Sequence, residues 1–289
     1  MRRETYDPDV PAAVRIRLVV LTALVVVGAS AAGASGGGGT PADPGWDATL
    51  NYSAVQSTPI PHVSKLHLRV TRLGAVVYDR IVPLPPDCIA HGCELVPPAP
   101  GRPFQLVDLG PKKGPMALIW LSTGGAHCCT VVRAVSIPDG ATAARNFGNS
   151  GARLVTLGGK KVFVTADDRF AYLFTSFASS GLPVQVWRFQ NGVFAVVTRQ
   201  FPDTIDADAV RWWTLTQRAR RAHGEARGVF AAWAADKCQL DQKADVQREL
   251  ASGVAAGAFS PPNGESSGPA GQQYATALLS KLTAWGYCR

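Results

Sequence analysis

From about residue 47 to residue 203 apolar and polar residues alternate in short runs, the period of strands that bury one face. In residues 65–83, KLHLRVTRLGAVVYDRIVP, the alternation breaks at Leu73-Gly74 and resumes, which predicts a hairpin. FQLVDLG (104–110), PMALIWLS (115–122), TVVRAVSIP (130–138), KVFVTAD (161–167), PVQVWRF (183–189) and VFAVVTRQF (193–201) read as further strands. Asn191-Gly192 marks a two-residue turn between the last two. Residues 83–101, PLPPDCIAHGCELVPPAPG, are punctuated by proline and read as a loop.

Beyond residue 203 the alternation is lost, and alanine, arginine and helical spacing replace it. Asp206 or Asp208 is the expected cap of a first helix, with Val210, Trp213 and Leu215 toward one face and Gly224 and Gly228 as interruptions. Residues 243–259 and 272–288 read as further helices around a loop at 260–271. The fold class expected is mainly β, as a propeller-like array or repeated antiparallel sheets, with a helical C-terminal region: α+β overall. Residues 204–289 pack on the β-rich part, 47–203, in this reading.

The first 34 residues have a different pattern. Arg15 and Arg17 precede the apolar run LVVLTALVVV, and Ala29-Ser30-Ala31 and Ala32-Gly33-Ala34 follow as small-residue sites, the layout of a secretory signal peptide. An uncleaved single-pass anchor is the competing reading. Residues 18–34 are short and small-chained for a comfortable span, which wants about 20 apolar residues. Residues 35–46 form a Gly/Pro/Ala linker.

Composition sharpens this outline. The 289 residues include 29 Gly and 21 Pro, and only 17% are charged, as in turn-rich β folds. The net charge is +8. The bases are scattered apart from 218–227, with no basic stripe interleaved with aromatics, so no nucleic-acid partner is expected. Membrane attachment is expected only through an uncleaved leader.

Six cysteines, Cys88, Cys93, Cys128, Cys129, Cys238 and Cys288, are an even set, and in an exported chain disulfides are the default. Cys88 with Cys93 closes a small loop, Cys238 with Cys288 pins the C-terminus, and elimination leaves Cys128 with Cys129. The rival connectivity joins Cys88 or Cys93 to one of the adjacent pair. Three further residues carry candidate chemistry: His127, which precedes the double cysteine, and the acidic neighbours Asp167 and Asp168. His127, Cys128 and Asp167 together suggest a nucleophilic or redox centre. Against this, adjacent strand residues point to opposite faces, which disfavours a metal site there. Asp-Asp-Arg in a turn ordinarily caps amides and forms a local ion pair. No catalytic residue, metal or cofactor is assigned.

An internal repeat lies within the β-rich part: LVDLGPKK (106–113) and LVTLGGKK (154–161) match at an offset of 48. Together with GGAHCC (124–129) and ADDRFAY (166–172), and an aromatic QVWRF hairpin (185–189), it resembles uncharacterised secreted bacterial proteins related to the FG-GAP/VCBS repeats of integrin-type propellers. The resemblance covers roughly residues 104–202. It implies calcium loops at the two repeats, yet Asp108 stands beside Lys112 and Lys113 in the first, and the second has no acid. A hard cation wants six to eight oxygens, so both loops read as degenerate and calcium-free.

The chain as a whole reads as an exported, disulfide-stabilised, non-catalytic binding or scaffold protein with an envelope or extracellular partner, secreted or envelope-associated. The alternative is a secreted hydrolase or thiol-redox enzyme centred on His127, Cys128 and Asp167. A metal-sensing role is a third possibility.

Overall fold

Three antiparallel sheets follow one another along the chain, then four longer helices, in a computed structural model. It describes residues 33–35, 45–55, 62–96, 103–109, 114–124, 128–262 and 268–289. The first sheet runs β1 (Gly33–Ser35), β2 (Trp46–Val55), β3 (His62–Arg72) and β4 (Ala75–Val82), in that order. Gly33–Ser35, at the expected boundary of leader and linker, pairs with Thr49 to Asn51 of β2. The β3–β4 turn is Leu73-Gly74, both at positive φ, the conformation that two-residue hairpins demand.

The region read as a proline-rich loop contains structure of its own: α1 (Pro86–His91) and β5 (Glu94–Leu95). The two prolines that suggest a loop instead start the helix, because a proline in the first turn has no amide to leave unbonded. Gly92, at φ 73, ends it, and the Cys88–Cys93 disulfide closes the unit.

The second sheet consists of β5, β6 (Phe104–Val107), β7 (Met116–Ser122), β8 (Thr130–Ser136) and β9 (Thr142–Asn146), with β5 and β6 both paired to β7. Its central strands, β7 and β8, are buried on both faces. Ala117, Ile119 and Leu121 pack with Leu50, Leu66 and Leu68 of the first sheet. Met116, Leu118 and Trp120 pack with Phe163, Trp187 and Phe189 of the third. Burial on both faces explains why β7 and β8 read as nearly continuous apolar runs.

The third sheet is β10 (Arg153–Leu157), β11 (Lys160–Ala166), β12 (Val184–Gln190) and β13 (Val193–Val196). The described parts of the repeated octapeptides occupy equivalent places: Leu106 and Val107 end β6 and residues 154–157 end β10, each the first strand of an antiparallel pair, β6–β7 or β10–β11. The repeat is therefore one of strand pairs. The sheets stack through shared cores, and among the described residues they close no propeller ring.

Helix α2 (Pro202–Arg221) begins earlier than its expected caps, with proline in its first turn, so Asp206 and Asp208 lie inside it. Its buried stripe is Ile205, Ala209, Trp212 and Thr216, at i, i+4, i+7 and i+11; Val210 faces solvent. Asp208 is turned toward the sheet, accepting from the Val184 amide (2.8 Å) and Trp212 Nε1 (3.0 Å). Helix α3 (Arg227–Gln239) is the centre of the helical core, with α4 (Lys243–Ala255) and α5 (Gly271–Ala284) around it. Gly228 is inside α3 rather than a break: an added Cβ would meet the Ser179 carbonyl at 2.3 Å. Among the described residues no helix is long and apolar enough to cross a membrane.

Candidate functional site

The segment between β11 and β12 carries the acidic pair, and the two carboxylates face different partners. Asp167 caps a short 3-10 turn (Asp168–Phe170) by accepting from the Arg169 amide at 3.0 Å. Its Oδ1 and Oδ2 also accept from Arg169 Nε at 3.0 and 2.9 Å, and Oδ2 from Arg169 Nη2. The Tyr287 hydroxyl donates the last bond to Oδ2, at 2.7 Å. Asp167 is only 4% exposed, so its charge is neutralised by Arg169 inside a cluster of hydrogen bonds. Burial, then the Asp167 charge, pushes the Tyr287 hydroxyl well above its ordinary pKa, which keeps it a donor.

Tyr287 reaches Asp167 because the C-terminal segment is tied down twice. The Cys238–Cys288 disulfide joins it to the end of α3. The Arg199 guanidinium donates to the carbonyls of Tyr287 (2.6 Å) and Gln239 (2.7 Å), and to Asp241 (3.0 Å). Sequence reasoning finds the Asp-Asp-Arg ion pair but not this closure, because Tyr287 lies 120 residues from Asp167.

Asp168 faces the other way. It accepts from the Asn149 amide and the Ser150 hydroxyl, so it holds the turn between β9 and β10. Gly148 in that turn has φ 66, and an added Cβ would strike the Asp168 carboxylate. The same turn meets the double cysteine. The Thr130 amide donates to the Gly148 carbonyl (2.8 Å), and Thr123 and Cys129 exchange backbone and hydroxyl bonds at 3.1 Å. Cys128 and Cys129 are joined to each other as a vicinal disulfide, and no cysteine is free. The 146–150 turn thus connects the double cysteine with Asp168. His127, Lys112 and Lys113 lie outside the described residues.

Around this cluster runs a cleft of ≈ 450 Å³ lined by Arg145, Asp167, Asp168, Arg169, Gln185 and Trp187. It shares Arg169 and Gln185 with a neighbouring hollow of ≈ 380 Å³ bounded by Arg199, Trp285 and Tyr287. The Arg145 guanidinium lies 4.0 Å over the Trp187 ring, and that of Arg169 lies 4.8 Å over Trp285. Stacking fixes the planes of both cations while their residues stay exposed. Among the described residues no group of three His, Cys, Asp or Glu could hold a metal ion.

Comparison with known proteins adds one relative. The chain is 36% identical over 103 residues to a protein of Synechocystis sp. named "Probable thylakoid lumen protein". The match takes in 33% of this chain and spans 30% of the length of that curated relative. No family model matches the chain, and no solved structure matches it.

Proposed function

We propose that the protein is an exported, disulfide-stabilised, non-catalytic binding or scaffold protein of the cell envelope or extracellular space. The observation that carries this reading is the state of Asp167. Both of its oxygens are filled by donors from Arg169 and Tyr287, and it is buried. A general base needs a lone pair aimed at its substrate, and here the lone pairs are turned inward. Asp168 is likewise bound to the 149–150 turn, and Cys128 is oxidised. Asp167, Asp168 and Cys128 therefore serve the architecture. What the cleft presents outward is arginine fixed on tryptophan, a combination enriched where proteins contact partners.

Export is supported by three disulfides, which persist in oxidising compartments. The basic, apolar and small-residue layout of the first 34 residues and the lumenal name of the Synechocystis relative point the same way. Intact mass of the protein recovered from its native compartment tests the reading. The expected result is a chain shortened near residue 34 that gains six hydrogens on reduction, two for each of three bridges. One or two reactive free thiols in the exported chain, lost on Cys128→Ser, would instead support the thiol enzyme.

A further inference from the structure

The three disulfides differ in what they hold and in how far solvent reaches them. Cys238–Cys288 joins residues 50 apart in sequence and Cys88–Cys93 residues 5 apart, while Cys128–Cys129 joins neighbours. A bridge stabilises a fold mainly by closing a loop of the unfolded chain, and by more as that loop lengthens. Cys128–Cys129 therefore staples no distant parts of the chain. Cys88, Cys93, Cys238 and Cys288 are at most 4% exposed, whereas Cys128 is exposed and Cys129 half-buried. The backbone at Cys129 is also held without sulfur. The Thr123 amide donates to the Cys129 carbonyl and the Cys129 amide to the Thr123 hydroxyl, both at 3.1 Å. The Thr130 amide donates to the Gly148 carbonyl and the Phe147 amide to the Thr130 carbonyl, both at 2.8 Å.

Exposed bridges are the ones that exchange with thiols, because the attacking thiolate has to reach a sulfur. We propose that Cys128–Cys129 is a thiol-exchange site, opened by a dithiol reductant while the two buried bridges stay closed. A thiolate of the reductant attacks the exposed Cys128 sulfur, forms a mixed disulfide with it and displaces the Cys129 thiolate, which takes up a proton. The second thiol of the reductant then attacks the reductant's own sulfur in the mixed disulfide. That closes the reductant's disulfide and releases the Cys128 thiolate, which is protonated in turn. Two electrons and two protons pass from the dithiol to the protein. A dithiol suits the site better than a monothiol, since the Cys129 thiolate stands beside the mixed disulfide and re-attacks it before a second molecule arrives. The opened thiols stay beside the Asp167 cleft, whose lining includes Phe147 and Gly148. The scaffold reading needs only that the bridge is formed in the exported chain; the ease of its opening is a separate property.

Graded anaerobic reduction of the folded, exported protein with dithiothreitol tests it, with iodoacetamide trapping and mass mapping of the labelled cysteines. The expected result is label on Cys128 and Cys129 at a dithiothreitol concentration about tenfold or more below that which opens either buried bridge. Glutathione at the same thiol concentration should open the site less, and far-ultraviolet circular dichroism should not change as it opens. Label appearing first, or at the same concentration, on Cys88, Cys93, Cys238 or Cys288 overturns the site. So does a bridge that opens only in denaturant or together with loss of the circular dichroism spectrum. Glutathione as effective as dithiothreitol overturns the dithiol route. Label on Cys128 before any reductant is added would contradict the disulfide-stabilised reading as well.

Discussion

Asp236 is a completely buried carboxyl group in α3, and neither of its oxygens finds a hydrogen-bond donor. Its polar neighbour is the carboxylate of Asp208, which already accepts from Val184, Trp212 and Arg211. Only the neutral acid fits, because its hydroxyl can donate to Asp208. Burial first, and then the Asp208 charge and hydrogen bond, hold the Asp236 pKa well above its ordinary value, with Arg211 pulling weakly the other way. Native Asp236 therefore keeps a proton that the unfolded chain releases above about pH 3.9. With the native state holding the extra proton, stability falls as pH rises, by about 1.4 kcal/mol per pH unit up to the folded pKa. For a chain of this size that corresponds to roughly 2–3 °C of melting temperature per unit.

Asp236→Asn keeps a neutral donor toward Asp208 and removes the titration. The melting temperature of the variant should thus rise relative to the parent as the pH is raised from 4 toward the folded pKa of Asp236, and the two should converge toward pH 4. Circular dichroism melts of both proteins across that range provide the measurement. A difference that does not change with pH, or a variant that gains on the parent toward acid, would refute the protonated pair.

Other consequences are local. Gly228→Ala places a methyl carbon against the Ser179 carbonyl, and should cost about 1–3 kcal/mol in denaturant unfolding. Removing the 238–288 bridge as a Cys238→Ser/Cys288→Ser pair should cost about 4 kcal/mol by loop entropy and loosen Tyr287, read by urea unfolding. Arg199→Ala strips the charged donor from the Tyr287 and Gln239 carbonyls; a loss of about 2–3 kcal/mol is expected in the same assay.

The sheets were legible because burial imposes a period that sequence carries directly. Leu73-Gly74 and Asn191-Gly192 mark their turns, and the apolar runs of β7 and β8 reflect a layer covered on both sides. Other features escaped because their causes are tertiary. Helix α2 buries Trp212 rather than Trp213, a choice set by where Val184 and Asp208 meet. The role of Asp167 depends on Tyr287, which arrives through a disulfide and an arginine from the far end of the chain. Asp167 and Asp168 look like a pair in sequence, yet one closes the C-terminal segment and the other holds a neighbouring turn.

The structural role of the Asp167 cluster is the centre of this account, and the stability of Asp167→Asn tests it most directly. Removing a buried charge from between Arg169 and Tyr287 should cost about 1–3 kcal/mol in equilibrium unfolding near neutral pH. Catalytic residues behave oppositely, since active sites give up stability for function and their replacement tends to restore it. A melting point several degrees below the parent is the predicted result; one equal to or above it would contradict the account.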